Sequence, residues 1–542
     1  MPSRPRRLRF TLASLLFAAG LWGGPIRAAE VLEVRLDGLA LPIRLDQLEV
    51  WSQRELRPVR AGEVAGGSAA ASDLEVWLGL LTPESRADLA RLLLSPLLED
   101  RSFGRQLLDS WAGGPMLAEV GGLLTTPSGD STTASLQLTL RRLLEQRREV
   151  NALELLRGLP EPRLSLQLDR LLALAERWRL QLERQKVAVR RLHELPLPTA
   201  AAGPAPVEVR RVSLDAPRPR RLLLRVDHRQ EPLPLDLWLP PAGIAASATN
   251  RPWLLLMPGL GGDADHLGWL AGALARRGWA VAVLQHPGSD GAAVRSTLAG
   301  RRPPPGAETL AARLADAEAV LAARRDGRLS LPGRGVVLMG HSLGAVTALM
   351  AAGLAPEEGL GLRCGSAAER LPLSNPSRLL QCQLPQERLP PVPARPPGLR
   401  AVVLLNGFGS LYWPRHALSP LGVPVLMVGG SLDLITPPLD EQLALFLPQG
   451  DPRSRLVLVE GGSHFSAVRM SDPEEALFRI GSDLVGVSPE NVQQALLSVT
   501  GTFLEGLDRA VPLAPQRLRQ GGVMVYVLDP GTARRWSAGL GG

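Results

Sequence analysis

The sequence predicts an α/β fold, a mainly parallel sheet with helices on both faces, preceded by a mostly α-helical N-terminal domain. From about residue 207 onward, short apolar runs alternate with stretches of helical periodicity, the pattern of strand–helix–strand units. Between Leu74 and Leu195, apolar residues recur at helical spacing instead. The 542 residues are enough for two or three domains.

The N-terminal segment has the features of a secretory signal peptide, predicted over residues 1–28. The basic residues that precede its apolar run, Phe10 to Trp22, are Arg4, Arg6, Arg7 and Arg9. Ile26-Arg27-Ala28-Ala29 offers a cleavage site, and an uncleaved membrane anchor is the alternative. In both cases we expect an exported protein, periplasmic or secreted.

Net charge and aromatic content argue against a nucleic-acid partner. The signal segment holds five of the eight net positive charges, and aromatic residues make up only 4% of the chain. A binding surface for nucleic acid needs a dense basic face and aromatic platforms for the bases. We therefore expect no nucleic-acid binding.

Residues 29–198 are predicted to form the N-terminal domain, of unknown role. Short strands are expected at Val31–Leu36 and Leu41–Leu48, and helices at Ala87–Leu98 and Leu136–Leu156. An apolar stripe at heptad a and d positions could seat a partner helix, or it could cover the core of its own domain. Its members are Leu164, Leu168, Leu171, Ala175, Trp178, Leu182, Val189 and Leu192. Small residues and prolines from Thr199 to Pro206 then predict a linker.

Residues 207–515 carry the alternating pattern and are predicted to be one catalytic domain, followed by a tail at 516–542. The predicted strands are 207–214, 221–226, 235–239, 253–257, 280–284, 336–339, 400–405, 423–428 and 456–459. The predicted helices are 267–277, 309–325, 439–446 and 492–507. Residues 355–399 interrupt the pattern as an insertion, which could form a lid or remain a surface loop. Residues 522–528 resemble a strand without an assignable place.

A strand running into Gly340-His341-Ser342-Leu343-Gly344 and then into a small-residue helix marks a nucleophile elbow. Side chains two residues before and after the serine would collide in so tight a turn, hence Gly340 and Gly344. The turn exposes the Ser342 hydroxyl above a helix N-terminus, which favours developing negative charge.

An activated serine needs a base and a carboxylate that orients it. His464 follows the last apolar strand in a flexible loop, and Asp433 follows the preceding strand. His266 and His286 could also line the cleft, whereas His341 points away from the hydroxyl. Asp440 and Asp451 are alternative acids. The chain order Ser342, Asp433, His464 is that of α/β-hydrolases.

Two backbone N–H groups must face the oxygen of the tetrahedral intermediate. Leu343, directly after the serine, supplies one. The glycine-rich loop Pro258-Gly259-Leu260-Gly261-Gly262 supplies the other, with Leu260 the expected donor. A plain glycine turn is the alternative for this loop.

Cys364 and Cys382 are the only cysteines, and their spacing suits a disulfide in an oxidising compartment. Two unpaired thiols are the alternative. The seven histidines show no ligand spacing that would form a metal site with them.

Residues 207–510 resemble an α/β-hydrolase of the platelet-activating-factor acetylhydrolase and dienelactone-hydrolase-like branch. The motifs that carry the resemblance are Met257-Pro258-Gly259-Leu260-Gly261, Gly340-His341-Ser342-Leu343-Gly344 and Gly462-Ser463-His464. The whole chain resembles exported α/β-hydrolases with a helical N-terminal domain of unknown function. In the acetylhydrolases the acid follows the strand matching Arg400–Leu405, where this chain has Asn406. Dienelactone hydrolases use a cysteine nucleophile, and neither cysteine here is near the elbow.

The expected activity is cleavage of carboxylic esters, of lipid or other apolar acyl substrates, without a cofactor. A lipid substrate would bring peripheral membrane contact. An inert scaffold on the same fold, an acyltransferase and a cofactor-free haloperoxidase are the alternatives. Labelling by a fluorophosphonate and product analysis distinguish them.

Overall fold

The computed structural model describes residues 28–57, 73–79, 81–98, 101–110, 113–146, 150–199, 218–244, 249–368, 374–383, 391–416, 418–448, 450–469 and 488–540. Nearly all of the signal peptide expected at 1–28, most of the linker expected at 199–206, and the strand expected at 207–214 lie outside these residues. The described residues of 28–108 and 116–173 form one compact unit, and those of 109–115 and 174–540 form a second.

The first unit combines helices with short strands around its own apolar core. Its helices are α1 (Leu45–Glu55), α2 (Asp73–Leu78), α3 (Pro83–Leu94), α4 (Arg101–Leu108), α5 (Gly113–Leu123), α6 (Thr133–Gln146), α7 (Ala152–Gly158) and the start of α8 (Leu168–Glu194). Its strands are β1 (Val31–Leu36), β2 (Leu39–Arg44), β3 (Pro96–Leu98), β4 (Leu124–Thr125), β5 (Val150–Asn151) and β6 (Arg163–Gln167). The strand order is β2-β1-β6-β4 in one sheet and β3-β5 in the other.

Several sequence expectations for this part of the chain were wrong. The helix expected at Ala87–Leu98 ends before β3, and the one expected at Leu136–Leu156 is divided into α6 and α7 with β5 between them. The strand expected through Leu48 ends at Arg44, and α1 follows directly because Leu45, Leu48 and Trp51 are buried on one helical face. The apolar stripe does not run along one buried face either. Leu164 lies on β6, and Leu171 and Ala175 are exposed on α8.

The second unit is built on a ten-stranded sheet in the order β15-β16-β14-β13-β12-β11-β9-β10-β8-β7. Its strands are β7 (Arg220–Leu224), β8 (Leu233–Trp238), β9 (Trp253–Met257), β10 (Val281–Leu284), β11 (Val336–His341), β12 (Leu399–Leu405), β13 (Val425–Gly430), β14 (Arg455–Val459), β15 (Gln516–Gln520) and β16 (Val523–Leu528). The six central strands, β9 to β14, are parallel, and the two strands at each edge of the sheet are antiparallel. The strand-like piece near 522–528 thus continues the sheet beyond residue 515 by pairing with β14.

Helices cover both faces of this sheet, which is why its central strands are apolar throughout. Leu254 and Leu256 belong to one hydrophobic cluster and Leu255 and Met257 to another, because successive side chains of a strand point to opposite faces. The helices are α9 (Ala264–Arg276), α10 (Gly291–Leu298), α11 (Ala307–Arg325), α12 (Leu343–Ala351), α13 (Leu360–Ala368), α14 (Ser377–Gln381), α15 (Ala444–Phe446), α16 (Pro489–Arg509) and α17 (Pro530–Ala538).

The insertion carries α13 and α14, and a disulfide joins Cys364 to Cys382, as their spacing predicted. Within the described ranges, no helix is long and apolar enough to cross a membrane.

Candidate active site

Ser342 occupies the turn between β11 and α12 in a strained backbone conformation, with φ 53° and ψ −120°. A side chain at Gly340 would collide with the carbonyl of Gly344, and one at Gly344 with the carbonyl of Met257. Gly340 is therefore required by the turn itself, as the sequence pattern implied, whereas Gly344 is required by the close approach of β9. Because parallel strands end at the same edge, the loops after β13 and β14 lie beside this serine.

The structure brings Ser342, His464 and Asp433 together in one hydrogen-bonded chain. The Ser342 Oγ lies 3.0 Å from His464 Nε2, and His464 Nδ1 lies 3.0 Å from Asp433 Oδ2. With a carboxylate accepting at Nδ1, the ring proton resides there, so Nε2 accepts the serine hydroxyl. All three residues are buried. Such an arrangement can deprotonate the serine as it attacks an acyl carbon.

Asp433 is fully buried and receives hydrogen bonds from neutral donors as well as from His464. The backbone N–H groups of Ile435 and Thr436 donate to Oδ1. The Thr436 hydroxyl and the Asn406 amide donate to Oδ2, at 2.6 Å and 2.8 Å. Burial alone would raise the pKa of this carboxyl. The charge of His464 and these hydrogen bonds outweigh burial and lower its pKa, so the carboxylate form persists.

The sequence analysis did not identify Asn406 and Thr436 as hydrogen-bond donors to Asp433. Asn406 directly follows β12, and its amide donates to the carboxylate of Asp433, which follows the next strand in the sheet. Its left-handed backbone, φ 48°, directly after β12 is the kind of strained loop position that often accompanies a site. Neither residue belongs to a recognisable motif.

His341 is a further residue whose role the sequence did not indicate. Its Nε2–H donates to the backbone carbonyl of His464 over 2.9 Å. Burial, together with the nearby His464 charge, lowers the pKa of His341 to about 3, so the ring is neutral and keeps this contact. His341 thereby holds the loop that carries the candidate base.

The loop after β9 lies against the elbow, and a Cβ atom at Gly259 would come within 3.0 Å of Ser342 Cβ. In this loop the Gly261 N–H donates to Ser289 and the Gly262 N–H to Gly259. The Leu260 N–H has no acceptor among the residues the structure describes. Leu343 occupies the first turn of α12, where N–H groups lack helical partners. Both amides are thus free to bind a substrate oxygen.

A buried arginine that the sequence analysis did not identify stabilises this loop through hydrogen bonds. Arg313 on α11 donates to the carbonyl of Pro258 and, over 2.8 Å, to the Ser289 hydroxyl. Ser289 is the residue whose carbonyl accepts the Gly261 N–H, so one side chain secures both partners of the turn.

The remaining candidates take other positions. His266 Nδ1 accepts the Asp263 N–H at the start of α9, and His286 pairs with Asp316. Asp440 accepts hydrogen bonds from Gln181 and Arg184, while Asp451 pairs with Arg453. Across the described ranges, no group of three or more His, Cys, Asp or Glu residues is arranged to hold a metal ion.

The sheet, the elbow and the loops after β13 and β14 define the class: the fold is that of the α/β-hydrolases. Residues 254–480, which include Ser342, Asp433 and His464, match the model of a family described as the alpha/beta hydrolase family. Residues 28–167 match the model of a family described as alpha/beta hydrolase of unknown function (DUF1400). No curated protein matches the chain.

Proposed function

We propose that the protein is a serine hydrolase that cleaves carboxylic esters through an acyl-enzyme. The observation that carries the proposal is the continuous hydrogen-bonded chain from Asp433 through His464 to a serine held in a strained elbow. The position of that serine beside two free amides supports the same reaction. No cofactor takes part in it.

The reaction follows from the roles of these groups. His464 Nε2 takes the Ser342 proton while Oγ bonds to the acyl carbon, and the Leu260 and Leu343 N–H groups stabilise the oxyanion. The imidazolium then protonates the departing alkoxide, which leaves as the alcohol. A water molecule, deprotonated by His464, releases the carboxylic acid and regenerates the serine. Asp433 orients the ring and stabilises its cationic form.

The finer parts of the proposal concern substrate and location. We assign apolar acyl esters of the acetylhydrolase-like kind, lipids included, because Leu310 and Leu380 line the same small cavity as Leu260 and Leu343. Lipid substrates would entail peripheral membrane contact. Export is supported by the disulfide, since such bonds persist in oxidising compartments.

A fluorophosphonate probe tests the proposal directly. The probe should label Ser342 of the wild type, as located by peptide mass spectrometry, and Ser342→Ala should remain unlabelled. The same variant should lose hydrolysis of p-nitrophenyl butyrate by about 10⁴-fold or more. Ser498→Ala, on α16, is the matched control and should keep both activities.

Thermal unfolding of both variants checks that the fold is retained. Wild-type protein that neither reacts with the probe nor turns over any ester would indicate an inert scaffold. Undiminished turnover by Ser342→Ala would place the nucleophile elsewhere.

A further inference from the structure

The two candidate oxyanion amides belong to separate elements of the fold. Leu260 lies in the loop after β9, and Leu343 is the first residue of α12. Each donor must lie within about 3 Å of the developing oxyanion. The site therefore works only if the loop and the helix are held at a fixed separation.

Arg313 of α11 is linked by hydrogen bonds to both of these elements. On the side of the loop, its guanidinium donates to the carbonyls of Pro258 and Gly259, the latter over 3.5 Å. On the side of the helix, its Nε donates to the Thr347 hydroxyl over 3.3 Å, and that hydroxyl donates to the Leu343 carbonyl over 2.9 Å. One side chain thus connects the two halves of the candidate oxyanion site.

The contact with Gly259 bears directly on one of the two amides. The Gly259 carbonyl and the Leu260 N–H belong to the same planar peptide group, so a group that holds the oxygen also fixes the direction of the N–H. A positive charge on the oxygen side polarises this peptide group and strengthens its N–H as a donor.

The charge of Arg313 is unusual for a side chain in this position. The residue is 1% exposed, and its acceptors among the described residues are neutral carbonyls and hydroxyls. Burial lowers its pKa to about 9, and the charges of Asp316 and Asp290 limit the decrease, so the guanidinium is cationic at neutral pH. A neutral side chain could hold the loop without the cost of burying a charge. The charge itself therefore points to a further role.

We propose that Arg313 is a positioning residue for the oxyanion. It fixes the separation of the Leu260 and Leu343 amides, and its buried charge stabilises the negative charge that develops between them. This inference rests on the proposed function, because an oxyanion forms only if Ser342 attacks an acyl carbon.

The first test is Arg313→Met, which keeps approximately the length of the side chain and removes its charge and its donors. We expect kcat for p-nitrophenyl butyrate to fall by about 10- to 100-fold, less than the loss of an oxyanion donor itself, with KM within about threefold of the wild type. A change in kcat without a change in KM is the result of losing an interaction made in the transition state.

Inhibition by 1-butaneboronic acid measures the oxyanion site directly. Ser342 Oγ bonds to boron, the serine proton passes to His464, and the tetrahedral boronate bears the negative charge. Arg313→Met should raise the inhibition constant by about the same factor as it lowers kcat.

Arg455→Met is the matched control. Arg455 is 5% exposed, donates to the backbone carbonyls of Leu513, Pro452 and Ser454, and lies at the start of β14, the end remote from His464. Its variant should lose stability but keep kcat and the inhibition constant. A loss of kcat in Arg313→Met no larger than in Arg455→Met, or an unchanged inhibition constant, would overturn the inference.

Thr347→Val decides the question if Arg313→Met does not fold. The change is isosteric and removes the link to α12, so kcat should fall by about three- to tenfold, the effect of one hydrogen bond. Thr500→Val, at a buried threonine of α16 whose hydroxyl has no partner among the described residues, should keep kcat. Equal kcat values in these two variants would then overturn the inference. Absence of all turnover by the wild type, with Ser342 unlabelled by fluorophosphonate, would instead refute the proposed function.

Discussion

Two buried histidine–aspartate pairs lie beyond the carboxyl ends of parallel strands in the same sheet. His464 and Asp433 follow β14 and β13, and His286 follows β10 and pairs with Asp316 of α11. The contact distances are similar, 3.0 Å and 2.9 Å. The two pairs differ in the hydrogen-bond donors and the charges that surround them.

The first pair leaves its histidine able to act. The other donors to Asp433 are neutral, so a positive charge that forms on His464 is the main balance for its carboxylate. The His464 Nε2 faces the Ser342 hydroxyl. In the second pair, Arg229 and His228 also donate to Asp316, at 2.7 Å each. The Arg229 charge already neutralises the carboxylate, and the His286 Nε2 has no partner among the described residues. A histidine–aspartate contact alone therefore does not identify a catalytic site.

The pKa values of the second pair agree with a structural role. Burial, reinforced by the Arg313 charge, lowers the pKa of His286 to about 3, so this ring stays neutral. Burial would raise the pKa of Asp316, but hydrogen bonds from His286 and Arg229 lower it to about 2. The pair thus belongs to a hydrogen-bond network that joins α11 to the loops after β7 and β10, with Arg229 as the counter-charge of Asp316.

The largest expected difference between the pairs is in turnover. His464→Ala should reduce kcat for p-nitrophenyl butyrate by about 10⁴- to 10⁶-fold, because the serine loses its base. His286→Phe should keep kcat within about tenfold of the wild type, since Arg229 and His228 still hold Asp316. Steady-state kinetics of both variants, with circular dichroism as the folding control, makes the comparison. Equal losses in the two variants would contradict the distinction drawn here.

The two carboxylates should respond differently to the same isosteric change. Asp433→Asn should lower kcat by about 10⁴-fold, because the wrong histidine tautomer is then stabilised. Asp316→Asn should instead lower the free energy of unfolding by about 3 kcal/mol, because the partly buried Arg229 then loses the fully buried carboxylate that balances its charge. Kinetics and urea unfolding of both variants separate the effects. A stable, inactive Asp316→Asn protein would show that the second pair takes part in catalysis.

Sequence patterns were informative where the backbone imposes the residue type. A side chain at Gly340 would collide across the elbow and one at Gly344 with the end of β9, so the pentapeptide located the turn and its serine. The parallel order of β11, β13 and β14 placed Asp433 and His464 at one edge. At α1 the pattern failed because Leu41, Ile43 and Leu45 extend the strand alternation across the boundary, and the helical face begins only with Leu45.

The supporting residues of the candidate site had no such signal. His341, Asn406 and Arg313 act through side-chain hydrogen bonds to residues distant in sequence, and Thr436 through a local turn around Asp433, and a periodicity or a motif does not record such contacts. Identifying these residues requires knowing what packs beside them.

The smallest expected difference between the two histidine–aspartate pairs is in how the free energy of unfolding depends on pH. A histidine whose pKa is 6.5 when unfolded and about 3 when folded binds a proton only in the unfolded chain between these values. Stability therefore falls as the pH drops from 6.5 towards 3, by up to about 1.4 kcal/mol per pH unit for each such histidine. His341 behaves in the same way, whereas the lowered pKa of Asp433 means that its stabilising contribution persists above pH 3.8.

His286→Phe should accordingly remove about half of the slope of unfolding free energy against pH between 4.5 and 6. Urea unfolding, followed by fluorescence of buried tryptophans such as Trp279, measures the slope, and the interval from pH 7 to 8 serves as the internal control. Between pH 7 and 8, His286 and His341 are largely neutral in both the folded and the unfolded chain. The variant and the wild type should therefore show nearly equal slopes over that interval. An unchanged slope at acidic pH would mean that His286 gains its proton without unfolding, and the second pair would then be as open to proton exchange as the first.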